Sequence, residues 1–349
     1  MAIIIIVVLA VLVGGIAVWQ YLEIRKEEVK EKIEEEIERG GVEKLKDIQS
    51  LPKDLQSLVE NLIIACESKN QDKIEEHKRN LWTHLREKPS DGEYILLVIQ
   101  NQNNLEVLDI LVGALTMDVF RYNEQIEKGL LDQMKLASKD LERRRILSSF
   151  FSGNRDLSSD TVEALIELAA SEQDTKVMQD IMTAIGQHAT EEDSAPLFAY
   201  WAKRHPDPII RASALRKLSV YVDNPEVNVE VAIDGLGDQS PKVRVAAIWV
   251  LNDIDSEIFE TRHFEKVREA LMVEKDSECA KDIISFMACT WPDKAPDALR
   301  AFVKVFEDDE DDSVKLYAEC FIETIQKGIR DKELLLEKAY DCWQENLGQ

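Results

Sequence analysis

Residues 207–218 read DPIIRASALRKL, and residues 240–251 read SPKVRVAAIWVL. Both stretches open with a residue whose side-chain oxygen can cap a helix N-terminus, and a proline follows at once, which the first helical turn tolerates. The separation of 33 residues between Asp207 and Ser240 indicates one structural unit that recurs along the chain. We therefore predict that each stretch is one helix of a repeat.

Three further segments fall into the same phase, beginning at Asp174, Ser277 and Asp311, so that the five starts are 33, 33, 37 and 34 residues apart. Apolar residues recur three, seven and eleven positions after each start, a spacing that places them on one face of a helix. The three columns are Val177, Ile210, Val243, Ala280 and Val314; Ile181, Ala214, Ala247, Ile284 and Ala318; and Ile185, Leu218, Leu251, Ala288 and Ile322. Other helical segments lie between them, so the predicted unit is helix, short turn, helix, without strands.

These stretches resemble the second helix of HEAT repeats, whose pattern is Asp-Pro, two residues, Arg and then an Ala-rich apolar face. Residues 160–328 carry the clearest repeats. Asn104–Leu115 and Lys139–Phe150 fall near the same phase, but Asp109 and Arg145 land in an apolar column. The resemblance implies an all-α fold in which antiparallel helix pairs stack into a superhelix, an α-solenoid, over residues 49–349. It also implies protein binding, although a fold does not by itself fix a function.

The N-terminal residues predict a membrane anchor. Residues 2–19 read AIIIIVVLAVLVGGIAVW and carry no charge. As a helix they would span about 27 Å, close to the hydrocarbon thickness of a bilayer. A cleaved signal peptide would instead need a basic start and a shorter apolar core. We therefore expect a single transmembrane helix, formed by Ile3, Ile4, Ile5, Ile6, Val7, Val8, Leu9, Val11, Leu12, Val13, Ile16, Val18 and Trp19.

Basic residues near the anchor predict its orientation. Residues 20–48 form a charge-dense stretch with helical spacing, which we interpret as a spacer. This stretch contains Arg25, Lys26 and Lys30, whereas no lysine or arginine precedes the anchor. The positive-inside rule then places the repeats in the cytoplasm. The opposite orientation, with the repeats in an oxidising space, stays open.

Charge and cysteine content exclude several classes of function. A net charge of -25 opposes binding to nucleic acid. The five cysteines are odd in number and have no CxxC spacing, which predicts neither a disulfide framework nor a zinc site. The acidic run EDDEDD at 307–312 lacks the glycine of a calcium loop and is interpreted as a solvated turn. No pattern points to catalytic, cofactor-binding or metal-binding residues.

A local basic cluster is the candidate partner-binding site. Its members are Lys203, Arg204, Arg211, Arg216, Lys217 and Arg244. On the concave face expected for second helices, this cluster would dock an acidic segment, and residues 143–145, all arginines, could extend it. In the alternative interpretation, Arg211 and Arg244 pair with acidic residues of the adjacent turn, such as Asp207 and Asp238. Trp201, Trp249 and Trp291 are likewise either binding anchors or packing residues.

The sequence therefore predicts a membrane-tethered interaction scaffold that holds a protein partner, without enzymatic activity or cofactor. Two other functions stay open. HEAT-like proteins that resemble bilin lyases attach or remove tetrapyrrole chromophores and would need a pigment pocket. Proteins that resemble alkylpurine glycosylases bind DNA through a basic concave face, which the net charge of -25 opposes.

Overall fold

The computed structural model describes residues 51–120, 123–153, 156–220, 225–305 and 312–347. The predicted anchor at 2–19, the spacer at 20–48 and all of the acidic run except Asp312 lie outside the described residues. Among the helices of the described ranges, none combines the length and the apolar composition that crossing a bilayer requires. The anchor and its orientation stay predictions.

The described residues form seventeen α-helices and three short 3-10 helices, and they contain no strand. The prediction of an all-α fold is confirmed, and the arrangement of the helices is consistent with an α-solenoid. The chain divides into two compact units, one ending at Ser194 and the other beginning at Ala195.

The first unit pairs its helices in two layers. Helices α3, α5 and α7 pack in succession in one layer, and α4, α6 and α8 do so in the other. Each helix of the first layer also packs on the next helix of the chain, and the α1–α2 hairpin contacts α4. The bounds are α1 Lys53–Glu67, α2 Gln71–Glu87, α3 Gly92–Asn101, α4 Leu105–Leu115, α5 Glu124–Leu136, α6 Leu141–Gly153, α7 Ser159–Ala169 and α8 Thr175–His188.

The second unit repeats this arrangement. Helices α10, α12, α14 and α16 form one layer, which we call the inner layer, and α11, α13 and α15 form the outer layer. Helix α9 begins at the end of the first unit, and α17 packs on α14 and α16. The bounds are α9 Glu191–Arg204, α10 Pro208–Leu218, α11 Pro225–Gly235, α12 Pro241–Asn252, α13 Thr261–Val273, α14 Ser277–Thr290, α15 Ala295–Val305, α16 Asp312–Gln326 and α17 Lys332–Leu347.

N-terminal caps set the register of the repeats. The side chains of Asn104, Asp174 and Asp207 each accept a hydrogen bond from a backbone N–H in the first turn of the following helix. One predicted start is wrong, because Asp276 rather than Ser277 caps α14, its carboxylate accepting the N–H of Cys279 at 2.9 Å. Both residue types cap well, so the sequence alone could not choose between them.

The predicted apolar columns form the core. The column residues of α8, α10 and α12 are all fully buried: Val177, Ile181, Ile185, Ile210, Ala214, Leu218, Val243, Ala247 and Leu251. Ile322, in contrast, is only half-buried. At Ala247, the structure shows why the residues of the middle column are small. A Cβ added to Gly235 of α11 would lie only 3.1 Å from the Ala247 Cβ. Close approach of α11 to α12 requires small residues on both helices.

The cysteine prediction needs a correction. Cys320 of α16 and Cys342 of α17 form a disulfide, with their Cα atoms 5.7 Å apart. The absence of a CxxC pattern therefore did not exclude a disulfide, because this bond joins adjacent helices of a hairpin rather than neighbouring residues. Cys66, Cys279 and Cys289 are free thiols.

Candidate partner-binding surface

The six basic residues that the sequence singles out do not form one cluster. Lys203 and Arg204 end α9, Arg211, Arg216 and Lys217 lie on α10, and Arg244 lies on α12. The Lys203 ammonium lies 2.7 Å from the carboxylate of Asp234 on α11, which belongs to the outer layer. Arg204 is exposed at the end of α9. The remaining four residues divide between two different roles on the inner layer.

Arg211 fastens α10 to the turn before α12. Its guanidinium holds both oxygens of Asp238, with N–O distances of 2.7 and 2.8 Å, and also donates to the carbonyl of His205. Burial alone would raise the pKa of Asp238, but the hydrogen bonds from Arg211 and the Ser240 backbone N–H outweigh it and hold that pKa below its usual value. Arg211 therefore links successive repeats, and little of its charge faces solvent.

Arg244 makes the same link one repeat later. Its guanidinium holds both oxygens of Glu274 at 2.6 Å and donates to the backbone carbonyl of Asp238 at 2.9 Å. The Glu274 side chain is 2% exposed, and it also accepts the backbone N–H groups of Lys275 and Asp276. The alternative interpretation of Arg211 and Arg244, pairing with acidic residues of the adjacent turn, describes the contacts of both arginines.

The three consecutive arginines of α6 serve the first unit in separate ways. Arg143 donates to backbone carbonyls at the C-terminal end of α3, including Gln102 at 2.6 Å. Arg144 pairs with the buried carboxylate of Glu172, as Arg211 and Arg244 pair with theirs, and Arg145 pairs with Asp174 at 2.8 Å. Their charges are thus engaged within the unit.

Arg216 and Trp249 form an open pair on the inner layer. Each lies nine positions after the cap of its helix, about 200° around the helix from the buried middle column. The Arg216 guanidinium lies 5.1 Å from the centroid of the Trp249 ring, and Trp249 is 52% exposed. We call the side of the inner layer that faces away from the outer layer the free face. Arg216 and Trp249 mark this face on α10 and α12.

Lys217, next to Arg216, is half-buried, and its burial lowers the pKa of its ammonium. A carboxylate that arrived beside this lysine would stabilise the charged form and would itself be bound by it. Lys217 lies about 100° around the helix from Arg216, so Arg216 is the cation that stands on the free face of α10 beside the aromatic surface supplied by α12. This combination suits an acidic group attached to an apolar segment.

The three tryptophans named in the sequence differ in role. Trp201 is 3% exposed and packs edge-on against Phe198, with ring centroids 5.6 Å apart. Trp291 joins a cluster of aromatic rings with Phe259, Phe264 and Phe286. Both are packing residues, whereas Trp249 presents half of its surface to solvent, as binding anchors do.

The described part of the chain contains no group of three or more His, Cys, Asp or Glu residues arranged to hold a metal ion. His84, one of the histidines in the sequence, lies 2.7 Å from the carboxylate of Asp91. His263 is fixed by two bonds, since the backbone N–H of Glu260 reaches its Nδ1 and its Nε2 faces Glu230 at 3.1 Å. These histidines therefore have partners within the fold.

The free face at Arg216 and Trp249 is thus the candidate site that the geometry favours, and it uses only part of the basic cluster. No protein-family model matches this chain, and no curated protein matches it either.

Proposed function

We propose that the chain is a membrane-tethered interaction scaffold, a HEAT-like α-solenoid that holds a protein partner on the free face of its second unit. The observation that carries the proposal is the exposed Arg216–Trp249 pair. A half-exposed tryptophan stacked with a guanidinium is the kind of aromatic and arginine pair that dominates binding energy at interfaces. The repeat register and the buried columns support the HEAT-like part of the proposal.

The chemistry of the partner follows from the charges of the site. Arg216 on the free face, and Lys217 about 100° around the helix from it, are cations in a chain whose net charge is -25, so they attract an acidic segment. The Trp249 ring favours an apolar or aromatic residue within that segment. We therefore propose an acidic protein segment with an apolar anchor as the ligand.

The tether would act by raising the local concentration of this partner at the membrane. The uncharged run at 2–19 supports an anchor, and the basic residues that follow it support repeats in the cytoplasm. One observation favours the opposite side of the membrane, because disulfides such as Cys320–Cys342 persist in oxidising compartments. Protease accessibility of the repeats in intact cells distinguishes the two placements.

Substitutions on the free face should weaken partner binding. In crosslinked pull-downs from detergent, we expect Arg216→Glu and Trp249→Ala each to reduce the affinity for the partner by about tenfold or more. The matched control is Arg300→Glu on α15 of the outer layer, where Arg300 makes only an exposed ion pair with Asp297. A partner that both site variants lose and the control keeps supports the proposal. Equal recovery of every partner by all three variants contradicts it.

A further inference from the structure

The C-terminal helix α17 lies across the inner layer. Near its C-terminal end, the Trp343 ring centroid lies 4.9 Å from the ammonium of Lys281 on α14, and its indole N–H donates to the carbonyl of Ser313 on α16 at 3.1 Å. Near its N-terminal end, the Lys332 ammonium reaches the carbonyl of Asn252, at the end of α12. Helix α17 therefore runs antiparallel to α14 and α16 and spans their length.

The surface under α17 is the continuation of the free face. Ser285 of α14 lies nine positions after its cap, the position that Arg216 and Trp249 occupy in the two preceding inner helices. The Ser285 hydroxyl lies 2.8 Å from the hydroxyl of Tyr317, whose ring packs against Trp343 with centroids 5.3 Å apart. The face that is open over α10 and α12 is thus covered by α17 over α14 and α16.

Few side chains of α17 are fully buried. Of its 16 residues, only Leu335 and Ala339 are buried, while Leu334, Tyr340 and Leu347 remain exposed. Leu336 and Trp343 are partly buried, so apolar burial contributes only part of what holds α17 in place. Besides the chain itself, which runs from α16 into α17 through residues 327–331, the disulfide between Cys320 and Cys342, 22 residues apart in sequence, links α17 covalently to the inner layer.

The other thiols of the described residues do not compete with this pair for redox chemistry. Burial raises the pKa of Cys66 and Cys289 to about 11, and burial together with the Glu274 carboxylate raises the pKa of Cys279 to about 12. At neutral pH, only a minute fraction of each is thiolate, which is the reactive form. A change in redox conditions therefore acts on α17 selectively.

We infer that α17 is a redox-controlled strap, which the Cys320–Cys342 disulfide fastens over the free face of α14 and α16 and which reduction releases. A dithiol reductant supplies two electrons and two protons. Its two sulfurs become joined in a disulfide, the Cys320–Cys342 bond breaks, and both cysteines become thiols. Release exposes the surface around Lys281, Ser285 and Tyr317 and extends the open face along the inner layer.

Hydrogen exchange of the full-length chain in detergent tests the strap. Closing a loop of 22 residues restricts the open state enough to favour the docked helix by about 100-fold. We therefore expect backbone amides of residues 332–347 to exchange about 100-fold faster after treatment with dithiothreitol, with a smaller increase in α14 and none in α11 or α12. Mass spectrometry of the untreated chain should find Cys320 and Cys342 linked.

The variant Cys342→Ser separates the strap from a general effect of the reductant. Without reductant, this variant should exchange in α17 as fast as the reduced wild-type chain, and dithiothreitol should change it no further. The inference is overturned if both cysteines alkylate in the untreated chain, if reduction leaves α17 exchange unchanged, or if α11 and α12 accelerate as much as α17. Because the readout is the helix itself, the outcome is independent of whether a partner binds at Arg216 and Trp249.

Discussion

Ala247→Asp should lower the free energy of unfolding of the second unit by about 3–5 kcal/mol. Ala247 is fully buried in α12, where it packs against Gly235 of α11. The nearest side chain of α10 at this contact is the apolar Leu215. A carboxylate introduced here would lose its hydration without gaining a counter-charge, and its extra atoms would separate α11 from α12. Urea unfolding followed by far-ultraviolet circular dichroism measures the loss.

The matched control is Ala301→Asp, the same substitution at an exposed position of α15. Both variants exchange a strong helix former for a weaker one, a difference of less than about 1 kcal/mol that applies equally to each. The difference between the two variants therefore isolates burial. If Ala301→Asp shifted the urea midpoint as far as Ala247→Asp does, Ala247 would not lie at the close contact of α11 with α12.

The sequence was sufficient for much of the fold because helix caps and apolar spacing are local signals. Asp174 and Asp207 cap the helices that were predicted to follow them, and Ser240 stands immediately before its helix although its side chain makes no capping hydrogen bond. The predicted register was wrong where two residues that can cap a helix are adjacent, as at Asp276 and Ser277, because the sequence does not show which of them is the cap. It was also wrong at α6, where the predicted register placed Arg145 in an apolar column, whereas its guanidinium pairs with Asp174 instead of entering the core.

The candidate site was less predictable because it depends on which charges are already paired. Arg211 and Arg216 look equivalent in the sequence, yet Arg211 holds Asp238 across a turn and Arg216 lies over Trp249. The covering of α14 and α16 by α17 could not be predicted either. It depends on the direction in which the chain turns after α16, and so does the pairing of Cys320 with Cys342. Apolar spacing carries no information about either feature.

Arg244→Ala should also be strongly destabilising, by about 3 kcal/mol, because it leaves a buried carboxylate without its counter-charge. Glu274 is 2% exposed, and both of its oxygens accept hydrogen bonds from Arg244 at 2.6 Å. The double variant Arg244→Ala with Glu274→Ala should recover part of this loss, since no charge is then buried. Recovery should be incomplete, because the backbone N–H groups of Lys275 and Asp276 lose their acceptor. Urea unfolding of the variants measures each change.

Removal of an exposed pair provides the control for Arg244→Ala. Arg300→Ala breaks the surface pair with Asp297 and should change the free energy of unfolding by no more than about 1 kcal/mol. A loss for Arg244→Ala no larger than for Arg300→Ala would contradict a structural role for the Arg244–Glu274 pair.

The dependence on pH gives a second test of the same pair. Burial alone would raise the pKa of Glu274, but hydrogen bonds from Arg244 and the Asp276 backbone N–H outweigh it and hold the pKa below the ordinary value of 4.5. A carboxyl whose pKa is lowered by folding stabilises the fold above its unfolded-state pKa, and this contribution is lost as the pH falls through the folded-state pKa. In Arg244→Ala, burial is no longer offset by Arg244 and instead raises the pKa of Glu274. Protonation of Glu274 then removes the free-energy cost of burying its unpaired charge. The stability gap between wild type and Arg244→Ala should therefore be constant near neutral pH and narrow as the pH falls through the range in which glutamate titrates. A gap that stays constant or widens on acidification would mean that Glu274 is not the group left unpaired.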